Sequence, residues 1–102
     1  MEKLQEMVKN DPNDPFSRYA IGLEYAKFND LDKAIKQFEE LIDTDPKYLG
    51  SYYQLAKIYE EVDRKEEAGE TYKSGMTLSQ EAGDMHTHSE LQHALEEMNA
   101  GQ

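Results

Sequence analysis

The stretch DMHTHSELQHALE, residues 84 to 96, gathers the residue types best suited to chemistry. His86, His88 and His93 could hold a metal ion. Ser89, His93 and Glu96 have the types of a nucleophile, a base and an orienting acid. Two metal ligands on a helix work best four residues apart, on adjacent turns of one face. His86 and His93 are seven apart, about 10.5 Å along a helix, and His86 and His88 point to different sides. A metal site here needs carboxylates from another segment or a second chain. Ser89, His93 and Glu96 share a face, but any helix yields that spacing. No nucleophile elbow or oxyanion hole accompanies them, and these supply much of the rate in such enzymes. The expectation is solvated histidines, with no metal, no cofactor and no catalytic residue. A metal-dependent or hydrolytic activity at this helix stands as the third of three functional readings.

Composition narrows the classes further. The 102 residues are enough for one small domain. Eleven Lys and Arg stand against 22 Asp and Glu, a net charge of -11. Such a surface repels a phosphate backbone and an anionic membrane alike, so neither nucleic acid nor membrane is an expected partner. There is no Cys, hence no disulfide framework or thiol chemistry. No apolar run approaches the roughly 18 residues of a membrane span, and MEKLQEMVKN lacks the apolar core of a signal peptide. The expectation is a soluble, cytoplasmic protein.

The elements that position these side chains follow from a repeat. Shifted by 34 residues, Ile21 falls on Leu55, Gly22 on Ala56, Tyr25 on Tyr59, Ala34 on Ala68 and Phe38 on Tyr72. In the other direction, Phe38 falls on Leu4, Leu41 on Met7, Asp45 on Asp11 and Pro46 on Pro12. Asp14 followed by Pro15 reads as a helix start. The pattern predicts helices over about Pro15–Phe28, Leu31–Asp43 (with Asp30 as its cap), Tyr48–Val62, Lys65–Ala82 and Asp84–Asn99. Gly83 is the expected stop of the fourth. No segment alternates as a half-buried strand does.

A helix-turn-helix repeat of this length ending in Asp-Pro resembles the tetratricopeptide repeat. Its small and aromatic positions are matched by Ile21, Gly22, Tyr25, Ala34, Phe38, Leu41 and Pro46. Tyr52, Leu55, Ala56, Tyr59, Ala68, Tyr72 and Gly75 match them again. Arg18 and Gln80 depart, standing where an aromatic and a proline are usual. The missing proline implies that the fourth helix runs on. The resemblance implies an all-α solenoid (α-α superhelix) in one domain, 1–102. By that resemblance residues 1–12 would form a truncated N-terminal helix, 15–46 the first repeat, 49–82 the second and 84–99 a C-terminal capping helix. Leu4, Met7 and Val8 are expected to face the first full helix. Gly22 is expected to face Ala34 across the first hairpin. A strict register would bury Ser89 and Glu90 of the last helix. A two-residue shift buries Leu91, Leu95 and Met98 instead, as an apolar stripe demands. The ending EAGDMHTHSELQHAL resembles the tail of small bacterial two-repeat proteins.

The resemblance also implies a concave groove lined by the first helix of each hairpin. Phe16, Tyr19, Leu23, Ala26 and Lys27 would come from one helix, and Gly50, Tyr53, Lys57, Glu60 and Glu61 from the next. His86, Ser89, His93 and Glu96 would come from the last. The expected partner-binding residues are Phe16, Tyr19, Leu23, Lys27, Tyr53, Lys57, His86 and His93. The partner is expected to be a protein or peptide, with acidic residues near Lys27 and Lys57. Glu39 and its acidic neighbours face outward. One branch of the family clamps a chaperone's C-terminal carboxylate with Lys and Asn. The matching positions hold Tyr19, Leu23 and Gln54, so that clamp is missing. The first functional reading is therefore a non-catalytic protein–protein interaction module. The second is a small homo-oligomeric scaffold, so the chain is expected to be a monomer or a homodimer.

Overall fold

The computed structural model describes residues 14–101. Five helices follow one another: α1 (Pro15–Lys27), α2 (Leu31–Thr44), α3 (Gly50–Glu61), α4 (Lys65–Ala82) and α5 (Met85–Ala100). No strand occurs among the described residues. Each helix packs on the next, and α1 also touches α3. The fold is thus all-α, two helical hairpins with α5 laid against the second. The truncated helix expected over 1–12, with Leu4, Met7 and Val8, lies outside the described residues.

Three turns close by the same device. After α1, the N–H of Asp30 bonds the Tyr25 carbonyl at 2.8 Å, and that of Asn29 bonds Ala26 at 3.0 Å. After α3, Arg64 bonds Tyr59 at 2.7 Å and Asp63 bonds Glu60 at 3.1 Å. After α4, Asp84 bonds Ser79 at 2.9 Å and Gly83 bonds Gln80 at 3.1 Å. This pairing satisfies the last carbonyls of a helix and requires a left-handed residue at its centre. Asn29, Asp63 and Gly83 take that role with φ of 61°, 62° and 75°, residues that tolerate it best.

Helix starts repeat less faithfully. Asp14 accepts from the Phe16 N–H at 3.1 Å and from the Ser17 hydroxyl at 2.7 Å. Asp84 accepts from the Thr87 N–H at 3.1 Å and its hydroxyl at 2.6 Å. Those two hydrogen bonds hold the Asp84 carboxyl below its ordinary range. The second repeat has Tyr48 where the first has Asp14, and no side chain caps α3. The helix expected from Tyr48 accordingly begins at Gly50. Ser51, the counterpart of Ser17, is fully buried, and its hydroxyl has no partner. Asp30 precedes α2 but makes no capping hydrogen bond; it pairs with Lys33 at 3.7 Å.

The core runs along the inner faces of the helices. Phe38, Leu41, Tyr72 and Leu91 are fully buried. Gly22 does admit a close approach, and the atoms nearest to it belong to Phe38, one turn beyond the expected Ala34. A Cβ at Gly22 would lie 2.7 Å from Cζ of Phe38, and the three nearest atoms all belong to that ring. Phe38 follows Ala34 by one helical turn on the same face, and the longer side chain fills the gap. Gly75 does the same service one layer on, with Tyr52 and Leu91 each 2.8 Å from its would-be Cβ. In α5 the shifted register holds: Leu91 and Met98 are buried and Leu95 packs partly against the core, while Ser89 and Glu90 are exposed. Glu39 is not simply a solvated outward charge, because its carboxylate accepts from the Tyr59 hydroxyl.

The serine pair separates capping from burial. Ser17→Ala removes a made hydrogen bond and should cost about 1 kcal/mol in urea denaturation. Ser51→Ala removes an unpaired buried hydroxyl and should be neutral or stabilise by up to about 1 kcal/mol. Equal losses for the two variants would contradict this account of the two starts.

Candidate functional site

Helices α1, α3 and α5 present their exposed sides toward one another and leave a trough between them. Its first cleft, about 240 Å³, is lined by Tyr19, Leu49, Gly50, Tyr53, Gln54, Thr87, Glu90 and Leu91. An adjoining cleft of about 170 Å³ is lined by Tyr53, Lys57, Glu90, His93, Ala94 and Glu97. Tyr53 and Glu90 belong to both, so the two are continuous.

Packing places the aromatic wall. The Tyr19 ring meets Phe38 edge-on at 5.8 Å and Tyr48 at 5.4 Å between centroids. It also lies 3.3 Å from where a Gly50 Cβ would sit. Glycine at that point lets the ring rest on the start of α3. Tyr48, which cannot cap α3, thereby joins the two hairpins through Tyr19. Burial, with Tyr19 beside it, raises the Tyr48 phenol above its ordinary range.

The trough brings together four of the residues expected from sequence: Tyr19, Tyr53, Lys57 and His93. Phe16, Leu23, Lys27 and His86 line neither cleft. Phe16 is 62% exposed and Leu23 36%. The Lys27 ammonium sits 5.9 Å from the Phe28 ring. Glu90 and Glu97 were not among the expected residues. Their signal was present as His-x-x-x-Glu at 86–90 and again at 93–97, a spacing that puts each pair on one face.

Those pairs change the electrostatics. His86 Nε2 lies 3.3 Å from Glu90, and His93 Nε2 lies 2.5 Å from Glu97. The acid beside His93 is therefore Glu97, not Glu96. Lys57 Nζ is 3.9 Å from Glu60, which also accepts from the buried Tyr72 hydroxyl. Lys57, His86 and His93 thus each have a carboxylate beside them on the same helix. Among the described residues, no three His, Asp or Glu side chains converge as a metal site requires.

Two buried phenols donate to carboxylates of neighbouring helices. Burial, reinforced by the hydrogen bond to Glu60, holds Tyr72 well above the ordinary phenol range. Burial and Glu39 do the same for Tyr59. Against the trough, Tyr72 fixes Glu60 and so restrains Lys57.

Comparison with known proteins agrees with this geometry. A family model for the tetratricopeptide repeat matches residues 17–48 and 49–81. A tetratricopeptide repeat domain protein from Salinibacter ruber, solved by NMR, is 42% identical, with a TM-score of 0.86 over 90% of this chain and 93% of that one. A protein from Bordetella parapertussis is 25% identical, with a TM-score of 0.85 over 98% of this chain and 87% of that one. The TPR2B domain of yeast Sti1, solved in a complex with pHsp70, reaches a TM-score of 0.91 over 99% of this chain and 81% of that one. At 21% identity it shares the fold alone. No curated protein matches the chain. Among the described residues no helix is long and apolar enough to cross a membrane.

The raised phenols set an alkaline limit. A folded pKa above the unfolded value of about 10 gives stability that is complete below pH 10 and lost as pH rises beyond it. Urea midpoints should therefore fall above about pH 10, and Tyr59→Phe/Tyr72→Phe should flatten that fall. An unchanged slope in the double variant would contradict the assignment.

Proposed function

The chain belongs to the tetratricopeptide repeat family, and from that premise we propose that it is a non-catalytic protein–protein interaction module. A peptide segment of its partner lies in the concave trough. The observation that carries this reading is the continuous pair of clefts joined at Tyr53. Such clefts combine an apolar, aromatic wall with a polar rim, the usual make-up of a peptide-binding surface. Tyr19 and Tyr53 supply contact area at little entropic cost. Leu91, fully buried, closes the floor between them. Phe16 and Leu23 extend apolar surface beyond the clefts for the ends of a longer segment, and Lys27 and His86 stand at its margin. The whole chain acts as one unit, because a repeat buries its apolar face only against its neighbours. It works in the cytoplasm, with neither nucleic acid nor membrane as partner.

A second reading, a homo-oligomeric scaffold, draws on the large apolar side chains of Phe16, Phe28 and Met85, 62%, 68% and 53% exposed. The net charge of -11 opposes it, since like-charged copies repel.

Panning a library of random peptides displayed on phage tests the first reading. Selected peptides should lose about tenfold or more in affinity for Tyr53→Ala, the loss typical of an aromatic anchor, while the helical circular dichroism is kept. Peptides indifferent to Tyr53 would place the binding surface elsewhere.

A further inference from the structure

The trough carries more than an aromatic wall, because its far half is acidic. Glu90 and Glu97 lie on one face of α5, two turns apart, with side chains 55% and 65% exposed. Both line the cleft that Tyr53 shares with the aromatic half. Their nearest counter-groups are imidazoles, which carry no charge in the formal count at pH 7. Lys57, the one Lys or Arg lining this cleft among the described residues, has Glu60 as its partner.

Building on the trough reading, we infer that the bound segment is basic and amphipathic. Its apolar side chain enters the cleft of Tyr19, Tyr53 and Leu91, and its lysines or arginines reach Glu90 and Glu97. Charge complementarity selects this occupant. An acidic segment would meet Glu90 and Glu97 and, among the described residues lining this cleft, gain one ammonium, that of Lys57. A guanidinium or ammonium instead makes charge-assisted hydrogen bonds to carboxylates that remain open to solvent. The surplus of acid over the whole chain, 22 residues against 11, draws a cationic segment in and speeds its arrival.

Spacing sharpens the inference. Glu90 and Glu97 are about 10.5 Å apart along α5, at about 1.5 Å per residue. An extended peptide rises about 3.3 Å per residue. Two basic residues separated by two others therefore span the same distance and meet both carboxylates.

The library selection reads this directly when run at about pH 8, above the ordinary histidine range. Peptides that depend on Tyr53 should be enriched in Lys and Arg at that three-residue interval. A selected basic peptide should bind Glu90→Gln/Glu97→Gln about tenfold more weakly, the scale of two partly exposed ion pairs. Raising the salt to about 0.5 M should weaken it similarly. The same peptide with Glu in place of Lys and Arg should bind wild type more weakly still, a control that needs no protein variant. Tyr53-dependent peptides that are acidic, show no charge preference or ignore the double variant would overturn this inference and leave the trough reading standing. Peptides indifferent to Tyr53, or no selected peptides at all, would overturn both.

Discussion

A ring against a glycine is the contact on which the architecture rests. Phe38 of α2 occupies the space that any side chain at Gly22 of α1 would need. Tyr52 of α3, with Leu91 of α5, occupies the space at Gly75 of α4. Each glycine weakens its own helix by about 1 kcal/mol relative to alanine. At Gly22 the fully buried Phe38 ring returns more through apolar burial, since a large aromatic contributes about 1.5–3 kcal/mol when removed from water. These approaches set the spacing of the first hairpin and the packing of α5. The trough inherits its width from both. Tyr19 rests on Phe38, and Leu91 rests on Gly75, so both sides of the aromatic cleft stand on the glycine contacts.

Much of this was legible because periodicity survives substitution. The 34-residue spacing located five helices and two hairpins, and the missing proline at Gln80 announced that the fourth helix extends to Ala82. The shift of α5 was readable too, because Ser89 and Glu90 make a poor core and Leu91 and Met98 a good one. The partner of Gly22 was not readable. Ala34 and Phe38 lie one turn apart on one face, and pairing small with small ignores how far a ring reaches along the helix. The start of α3 slipped for a comparable reason. Tyr48 falls where a capping Asp stands in the other two units, and its aromatic contact with Tyr19 depends on tertiary structure.

The site divides in the same way. Tyr19, Tyr53, Lys57 and His93 came from the pattern of the repeat and do meet in the trough. The sign of the groove's charge did not. Acidic residues were expected on the partner near Lys27 and Lys57, whereas each of Lys57, His86 and His93 has a carboxylate beside it on its own helix. Glu90, His93 and Glu97 line the trough because α5 is shifted in register. The imidazoles of His86 and His93 lie beside carboxylates of their own helix, and an aromatic cleft adjoins the partly exposed Glu90 and Glu97.

The central structural claim, that Phe38 dictates glycine at position 22, is tested most directly by a double-mutant cycle. Gly22→Ala is measured by urea denaturation in wild type and in Phe38→Leu. The account predicts a loss of about 1–3 kcal/mol in wild type, where the new methyl group collides with the ring. In Phe38→Leu the collision is gone, and the same change should stabilise by about 1 kcal/mol through helix propensity. The same effect in both backgrounds would show that the ring does not set the hairpin, and would contradict the account.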